Sequence, residues 1–197
     1  MKGRILVSCF ALLFFSTTVG AQQEPPQVQS ARRTQWTEGD RTELLRKAQR
    51  GDADSQMWLA AAYEQGSFGE RNFSEALKWF RKSAAKGNPD AQNALGQMYE
   101  DGEGVKQNYV LAAHWYRKAA DHVPDFGGAG QGRNNLGLLY LDGRGVPKDY
   151  VEAYMWFSLS GGERNRNLAY AKEHMTPQQI LEAEHRAKEW KVRHHDQ

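Results

Sequence analysis

Tyr63 and Tyr99 stand 36 residues apart, and so do Trp79 and Trp115, Ala84 and Ala120, and Gly51 and Gly87. A third copy keeps the internal spacing, because Tyr140 to Trp156 is 16 residues, as are Tyr63 to Trp79 and Tyr99 to Trp115. A fixed period of about 20–50 residues marks stacked supersecondary units that bury their apolar faces only against neighbours. Such chains bind along an extended surface more often than they perform chemistry in a pocket.

Each unit holds two apolar-periodic stretches around a glycine-rich turn. Ala91, Leu95, Met98 and Tyr99 recur at helical spacing, as do Ala112, Trp115, Tyr116 and Ala119. Gly102 and Gly104 permit the turn between them. Asn72-Phe-Ser-Glu75 and Asp149-Tyr-Val-Glu152 have the pattern of a capping box. Asn108 takes the same place with Leu111 where the glutamate would stand. Gly96 and Gly137 fall inside a first helix, where glycine costs about 1 kcal/mol relative to alanine. The spacing therefore predicts a close helix approach there, with Ala60 in the corresponding place of the first unit.

The ends of the repeat array are also legible. Arg41 to Arg50, opened by Asp40 with Glu43 three residues on, reads as the second helix of a preceding unit and a cap on the stack. Leu168 to Met175 reads as another helix. Thr176-Pro177-Gln178-Gln179 starts a last one reaching Trp190, with an N-cap, a first-turn proline and a capping-box glutamine. That gives seven or eight helices after the first, and no strand.

At the amino end, Lys2 and Arg4 precede the apolar run Ile5 to Phe15, and Val19-Gly-Ala21 has the small residues of a cleavage site. This is the pattern of a secretory signal peptide over residues 1–21. Export places the protein in the periplasm or outside the cell. Residues 22–38, with Pro25-Pro26, read as a flexible lead-in. Cleavage would remove Cys9, the single cysteine, so packing rather than a disulfide must hold the fold. It would also take the basic count from 26 to 24, level with the 24 acids. A neutral domain gives no electrostatic reason for nucleic acid binding, and no apolar stretch remains for membrane insertion.

Two in-phase copies carry a family pattern. Ala94-Leu95-Gly96-x-x-Tyr99-x-x-Gly102-x-Gly104-Val105 is followed by Ala112-x-x-Trp115-Tyr116-x-Lys118-Ala119-Ala120. Asn135-Leu-Gly-Leu-Leu-Tyr-Leu-Asp-Gly-Arg-Gly-Val146 leads likewise to Ala153-Tyr-Met-Trp156. This resembles the Sel1-like repeat, related to tetratricopeptide repeats. The resemblance implies an all-α fold, an α/α solenoid of helix-turn-helix repeats over residues 39–192. Its units cover about 51–86, 87–122 and 128–163, with capping helices at both ends and a tail at 193–197. It further implies an adaptor that binds protein. The first unit departs at Gly66-Ser-Phe-Gly69, an atypical turn. Five residues are inserted between the second and third units, within residues 121–132.

Candidate chemistry is sparse. Gly127-Gly-Ala-Gly-Gln-Gly132-Arg133-Asn134 misses the lysine, the hydroxyl residue and the preceding strand of a phosphate loop, and reads as an insertion loop. Ser83-Ala-Ala-Lys86 lacks the companion motifs of penicillin-recognising enzymes. His114, His122, His174 and His185 have no ligand spacing, and His194-His195 lie in the tail. The expectation is a protein that is not an enzyme and uses no metal or cofactor. The alternative is a cell-wall or β-lactam-related enzyme or accessory protein, which a buried acid pair facing a cleft would favour.

In a tetratricopeptide-like stack the first helix of each pair lines the concave side. Taking Ala60, Gly96 and Gly137 as reference, the exposed face would carry Asp54, Met57, Glu64 and Gln65 from the first unit. The second supplies Asp90, Asn93, Gln97, Glu100 and Asp101, and the third Asn134, Leu138, Leu141 and Asp142. Six of these are acids and none is basic. Such a groove would steer a basic or amide-rich peptide, with Met57, Leu138 and Leu141 for apolar contact.

Overall fold

Asparagine or aspartate stands immediately before five of the helices and fixes where each begins. Asp52, Asn72, Asn88, Asn108 and Asp149 each accept a hydrogen bond from a backbone amide two or three residues on, satisfying one of the orphan donors of a first turn. In the computed structural model, which describes residues 37–123, 127–161 and 166–195, the described residues form helices and no strand. They are α1 (Glu38–Gln49), α2 (Ala53–Gln65), α3 (Phe73–Ala84), α4 (Pro89–Asp101), α5 (Tyr109–Ala120), α6 (Gly128–Asp142), α7 (Tyr150–Leu159), α8 (Arg166–Glu173) and α9 (Pro177–His195). The expected signal peptide and residues 22–36 of the lead-in lie outside the described residues, as do 124–126, 162–165 and 196–197.

Helices pair as α2–α3, α4–α5 and α6–α7, and each pair packs on the next. Every first helix ends on a left-handed glycine at one phase of the repeat, Gly66, Gly102 and Gly143, at φ of 76°, 78° and 71°. The turn then closes in the same way three times, the amides of Asn72, Asn108 and Asp149 donating to the carbonyls of Tyr63, Tyr99 and Tyr140. The first unit keeps this turn despite its divergent sequence. Its Phe68 packs on Tyr63 edge-on at 5.8 Å and, like Val105 of the next turn, against the first core cluster.

The close approach expected at Gly96 and Gly137 is present. A Cβ at Gly96 would lie 2.4 Å from the Tyr116 ring, and one at Gly137 would lie 2.6 Å from the Phe157 ring. Between units, one side chain per first helix reaches back to the end of the preceding second helix. Gln56 donates to the Ala48 carbonyl at 2.9 Å, Gln92 to that of Ala84 at 3.2 Å, and Arg133 to that of Ala120 at 2.9 Å. A second tie repeats on the other side of the hairpin, where Arg81 donates to the Tyr99 hydroxyl and Arg117 to that of Tyr140.

Several local expectations are corrected. Thr37 caps α1, with Asp40 as its capping-box partner, so the lead-in stops short of Glu38. Asn72 and Asp149 cap α3 and α7 in one direction only. Glu75 pairs instead with Lys78, and Glu152 with Trp156 and Arg186. The glycine-rich stretch from Gly128 to Asn134 is the first part of α6 and not a loop. The penultimate helix is Arg166–Glu173, two residues earlier than expected. The last one has the expected Thr176–Gln179 capping box but runs to His195, past Trp190 and into the segment read as a tail. Trp79, Trp156 and Trp190 are buried, whereas Trp115 is half-buried and packs against two core clusters.

Candidate functional site on the first helices

Helices α2, α4 and α6 carry the residues that the sequence points to. Packing between α4 and α6 is direct, and polar side chains line the contact. Asp90 accepts from the Gly128 amide at 2.6 Å. Asn93 donates to Gln131 and accepts from Asn135, each at 3.0 Å. Asp90 and Asn93 therefore join the two units. Asn93 is buried, contrary to the exposed position expected of it.

The remaining expected residues divide by what they touch. Asp54, Gln65, Gln97, Asp101 and Asp142 are exposed. Asp54 accepts from Asn88 at 2.8 Å, and Asp142 pairs with Arg144 at 2.9 Å. Glu100 is partly buried, accepting from the Tyr116 hydroxyl at 2.7 Å and pairing with Arg144 at 3.0 Å. Its carboxylate holds α4, α5 and the turn between α6 and α7 together. Met57, Asn134 and Leu138 are partly buried. Leu141 is buried, corrected from exposed, because it joins a core cluster with Ala171 of α8. The structure thus leaves a narrower band of five exposed residues on these helices, three of them acids (Asp54, Asp101 and Asp142, the last paired with Arg144), rather than a face made of all thirteen residues.

Glu64 is the electrostatic anomaly of these helices. Burial, aided by the neighbouring Glu103, holds its carboxyl above the usual carboxylate range, with Arg71 opposing. The Tyr116 hydroxyl is held far above its ordinary value by burial and by its hydrogen bond to Glu100, so it stays protonated and donating.

Two residues of the first helices were not picked out by the sequence for the roles they have. Arg133 is buried and donates to the carbonyls of Ala120, Leu159 and His122, with its guanidinium 4.5 Å from the Trp190 ring centroid. Its repeat phase, shared with Gln56 and Gln92, was the available signal. Trp58 is 54% exposed on α2, at the phase of Ala94 and Asn135.

A separate cleft of about 370 Å³ lies where α9 crosses α5 and α7. Trp156 and Trp190 meet edge-on in it at 6.2 Å. Within it Glu152 accepts from Arg186 and from the Trp156 indole, each at 3.1 Å. The buried polar side chains among the described residues are Ser55, Gln56, Ser83, Gln92, Asn93 and Arg133, without a carboxylate. Among the same residues no cluster of histidine, cysteine or acids is placed to hold a metal ion, and no helix is long and apolar enough to cross a membrane.

Paired helices stacked at a fixed repeat, with side-chain ties from each unit to the last, define an α/α solenoid of the kind used as a binding scaffold. The Sel1 repeat family model matches residues 53–88, 89–122 and 131–161, just over half of the chain. The chain belongs to the Sel1 repeat family. It is similar to the crystal structure of c5321, a protective antigen present in uropathogenic Escherichia coli strains and displaying an SLR fold. Identity to that protein is 36% over 64% of this chain, with a TM-score of 0.57, and the match spans 26% of the antigen's own length. It is also similar to a Sel1 repeat protein from Oxalobacter formigenes, at 36% identity over 68% of this chain and 96% of that one, with a TM-score of 0.55. Comparison with curated proteins gives no match. Sel1 repeat proteins generally mediate protein–protein interactions, and their fold is typically a non-catalytic scaffold.

Proposed function

We propose that this chain is a non-catalytic adaptor or regulator, exported to the periplasm or beyond, which binds a basic protein or peptide through its first helices. The observation that carries this reading is the charge on those helices. In α2, α4 and α6 the acids are Asp54, Glu64, Asp90, Glu100, Asp101 and Asp142, and the sole cation, Arg133, is buried on backbone carbonyls. A surface with one sign of charge on a balanced domain attracts partners of the other sign and repels its own. Export rests on Lys2, Arg4, the run from Ile5 to Phe15 and Val19-Gly-Ala21. The even charge balance beyond Ala21 argues against nucleic acid as the partner.

Glu100 holds the fold together, so the test uses residues of the band whose side chains are open. Gln65→Lys, Gln97→Lys and Asp101→Lys combined should leave the circular dichroism spectrum and melting temperature unchanged. Proteins enriched from a native periplasmic extract by the wild-type chain should be depleted at least several-fold on the triple variant, most strongly at low salt. Equal enrichment by both would overturn the reading.

A further inference from the structure

On α7 the outward side of the second helix is covered by α9, whereas on α5 the same side is open. Glu152 of α7 accepts from Arg186 of α9, and Met155 and Leu159 are buried in a cluster with Ala187 and Trp190. The phases of Val151, Glu152, Met155 and Leu159 recur in α5 as Val110, Leu111, His114 and Lys118, all exposed. In α3 they recur as Ser74, Glu75, Lys78 and Lys82. Val110 and Leu111 are 64% and 38% exposed in the first turn of α5. Leu111 stands where α3 and α7 each carry a glutamate.

Helical spacing puts Arg117 and Lys118 on the side of α5 that carries Val110, Leu111 and His114, and α3 matches them with Arg81 and Lys82. All four cations are exposed, and all four rest on neutral partners. Arg81 and Arg117 donate to the hydroxyls of Tyr99 and Tyr140, while Lys82 and Lys118 lie over the Trp79 and Trp115 rings. None of them forms an ion pair among the described residues. The acids of the two helices and their C-caps are Glu75, which pairs with Lys78 at 3.3 Å, and Asp121. The face thus joins exposed aliphatic side chains to positive charge that no carboxylate cancels.

We propose that this face of α3 and α5 docks the protein on the surface of an anionic lipid bilayer. Val110 and Leu111 enter the headgroup layer, and Arg81, Lys82, Arg117 and Lys118 meet the lipid phosphates. A bilayer uses both properties of the face, because buried apolar area and basic charge add in interfacial binding. Each lysine or arginine near such a surface strengthens binding about fivefold. A nucleic acid would use the charge alone and leave the two aliphatic side chains in water. A stable protein interface is built from about 20–30 residues a side around aromatic anchors, and the indoles of this face lie beneath lysines. The surface read on the first helices belongs to other elements, so either reading stands without the other.

The test uses protein purified from cells that produce the full chain. Its binding to vesicles of phosphatidylcholine, alone or mixed equally with phosphatidylglycerol, is read by co-sedimentation. Binding should need phosphatidylglycerol and should fall at high salt. Leu111→Glu, which restores the residue of the other two units, should weaken it about tenfold, and so should Lys82→Gln combined with Lys118→Gln. These positions are exposed, so the melting temperature should not change. An NBD fluorophore on His114→Cys, in a Cys9→Ser background, should shift to the blue with the mixed vesicles, and one on Gln97→Cys of α4 should not. Attachment through the apolar run from Ile5 to Phe15 would leave both labels in water, so the labels separate it from docking by this face. Equal binding by wild type and Leu111→Glu would overturn the proposal, as would a label at position 114 that stays in water. A DNA duplex that holds the protein against an excess of mixed vesicles would overturn it in favour of nucleic acid.

Discussion

The space left by one absent methyl group admits an aromatic ring at the centre of each later hairpin. Tyr116 lies over Gly96 and Phe157 over Gly137, at distances where a Cβ has no room. Gly96→Ala therefore sets a helix-propensity gain of about 1 kcal/mol against the cost of displacing a buried ring. The ring also carries the hydroxyl that holds Glu100, so the cost should win. Urea denaturation should show a net loss of about 1–3 kcal/mol, and a stabilised variant would show that the helices can part freely. Glu64 makes the opposite kind of prediction. Its carboxyl is raised by burial, so the folded state holds the proton more tightly than the unfolded chain does. The cost of ionising it is absent below the unfolded pKa, grows as pH rises, and is complete above the folded pKa. Glu64→Gln should therefore stabilise the protein at pH 7, with the gain vanishing near pH 4. A gain that is the same at both pH values would mean that ionisation is not its source.

Each first helix ties back to the end of the preceding second helix through one side chain, and the third of these ties differs in kind from the first two. Gln56 and Gln92 each tie one carbonyl, whereas Arg133 ties three, including Leu159 at the end of α7. Arg133→Met keeps the bulk and removes every donor. Leaving buried carbonyls unpaired costs about 1–3 kcal/mol each, so this change should cost more than Gln92→Ala in paired thermal melts. Equal losses would mean that solvent replaces the guanidinium. What could be read of these elements followed how local their causes are. Helix caps act over three residues, so Asn72, Asn108 and Thr176 were legible as starts. The stretch from Gly128 to Asn134 was not, since its composition speaks against a helix and distant contacts impose one. The Gly128 amide is held by Asp90, and a Cβ at Gly132 would lie 2.7 Å from that of Ala119. Glycine there marks backbones in contact, not a flexible loop. For the same reason the burial of Asn93 and Leu141 could not be read from the phase of their own helices. It depends on Gln131 and Asn135 in one case and on α8 in the other.

In the first two pairs the two kinds of helix carry opposite charge, whereas the second helix of the third pair, α7, holds one acid, Glu152, and no lysine or arginine. Helices α3 and α5 hold Lys78, Arg81, Lys82, Arg117 and Lys118 against one acid, Glu75, while the open charges of α2, α4 and α6 are all acids. On the second helices Lys82 lies 4.0 Å from the Trp79 ring centroid and Lys118 lies 5.0 Å from that of Trp115, so these cations cover the aromatic layer of their own repeats. Those acids have no such duty at Asp101, which is exposed on α4. The division of labour proposed above is between a face that seals the stack and a face that meets other proteins. It is tested most directly by placing a photo-reactive phenylalanine at Gln97 on α4 or at Lys82 on α3, both exposed, and irradiating cells that produce each variant. The account predicts discrete higher-mass adducts with other proteins from position 97 and none from position 82; adducts from position 82 with none from 97 would contradict it.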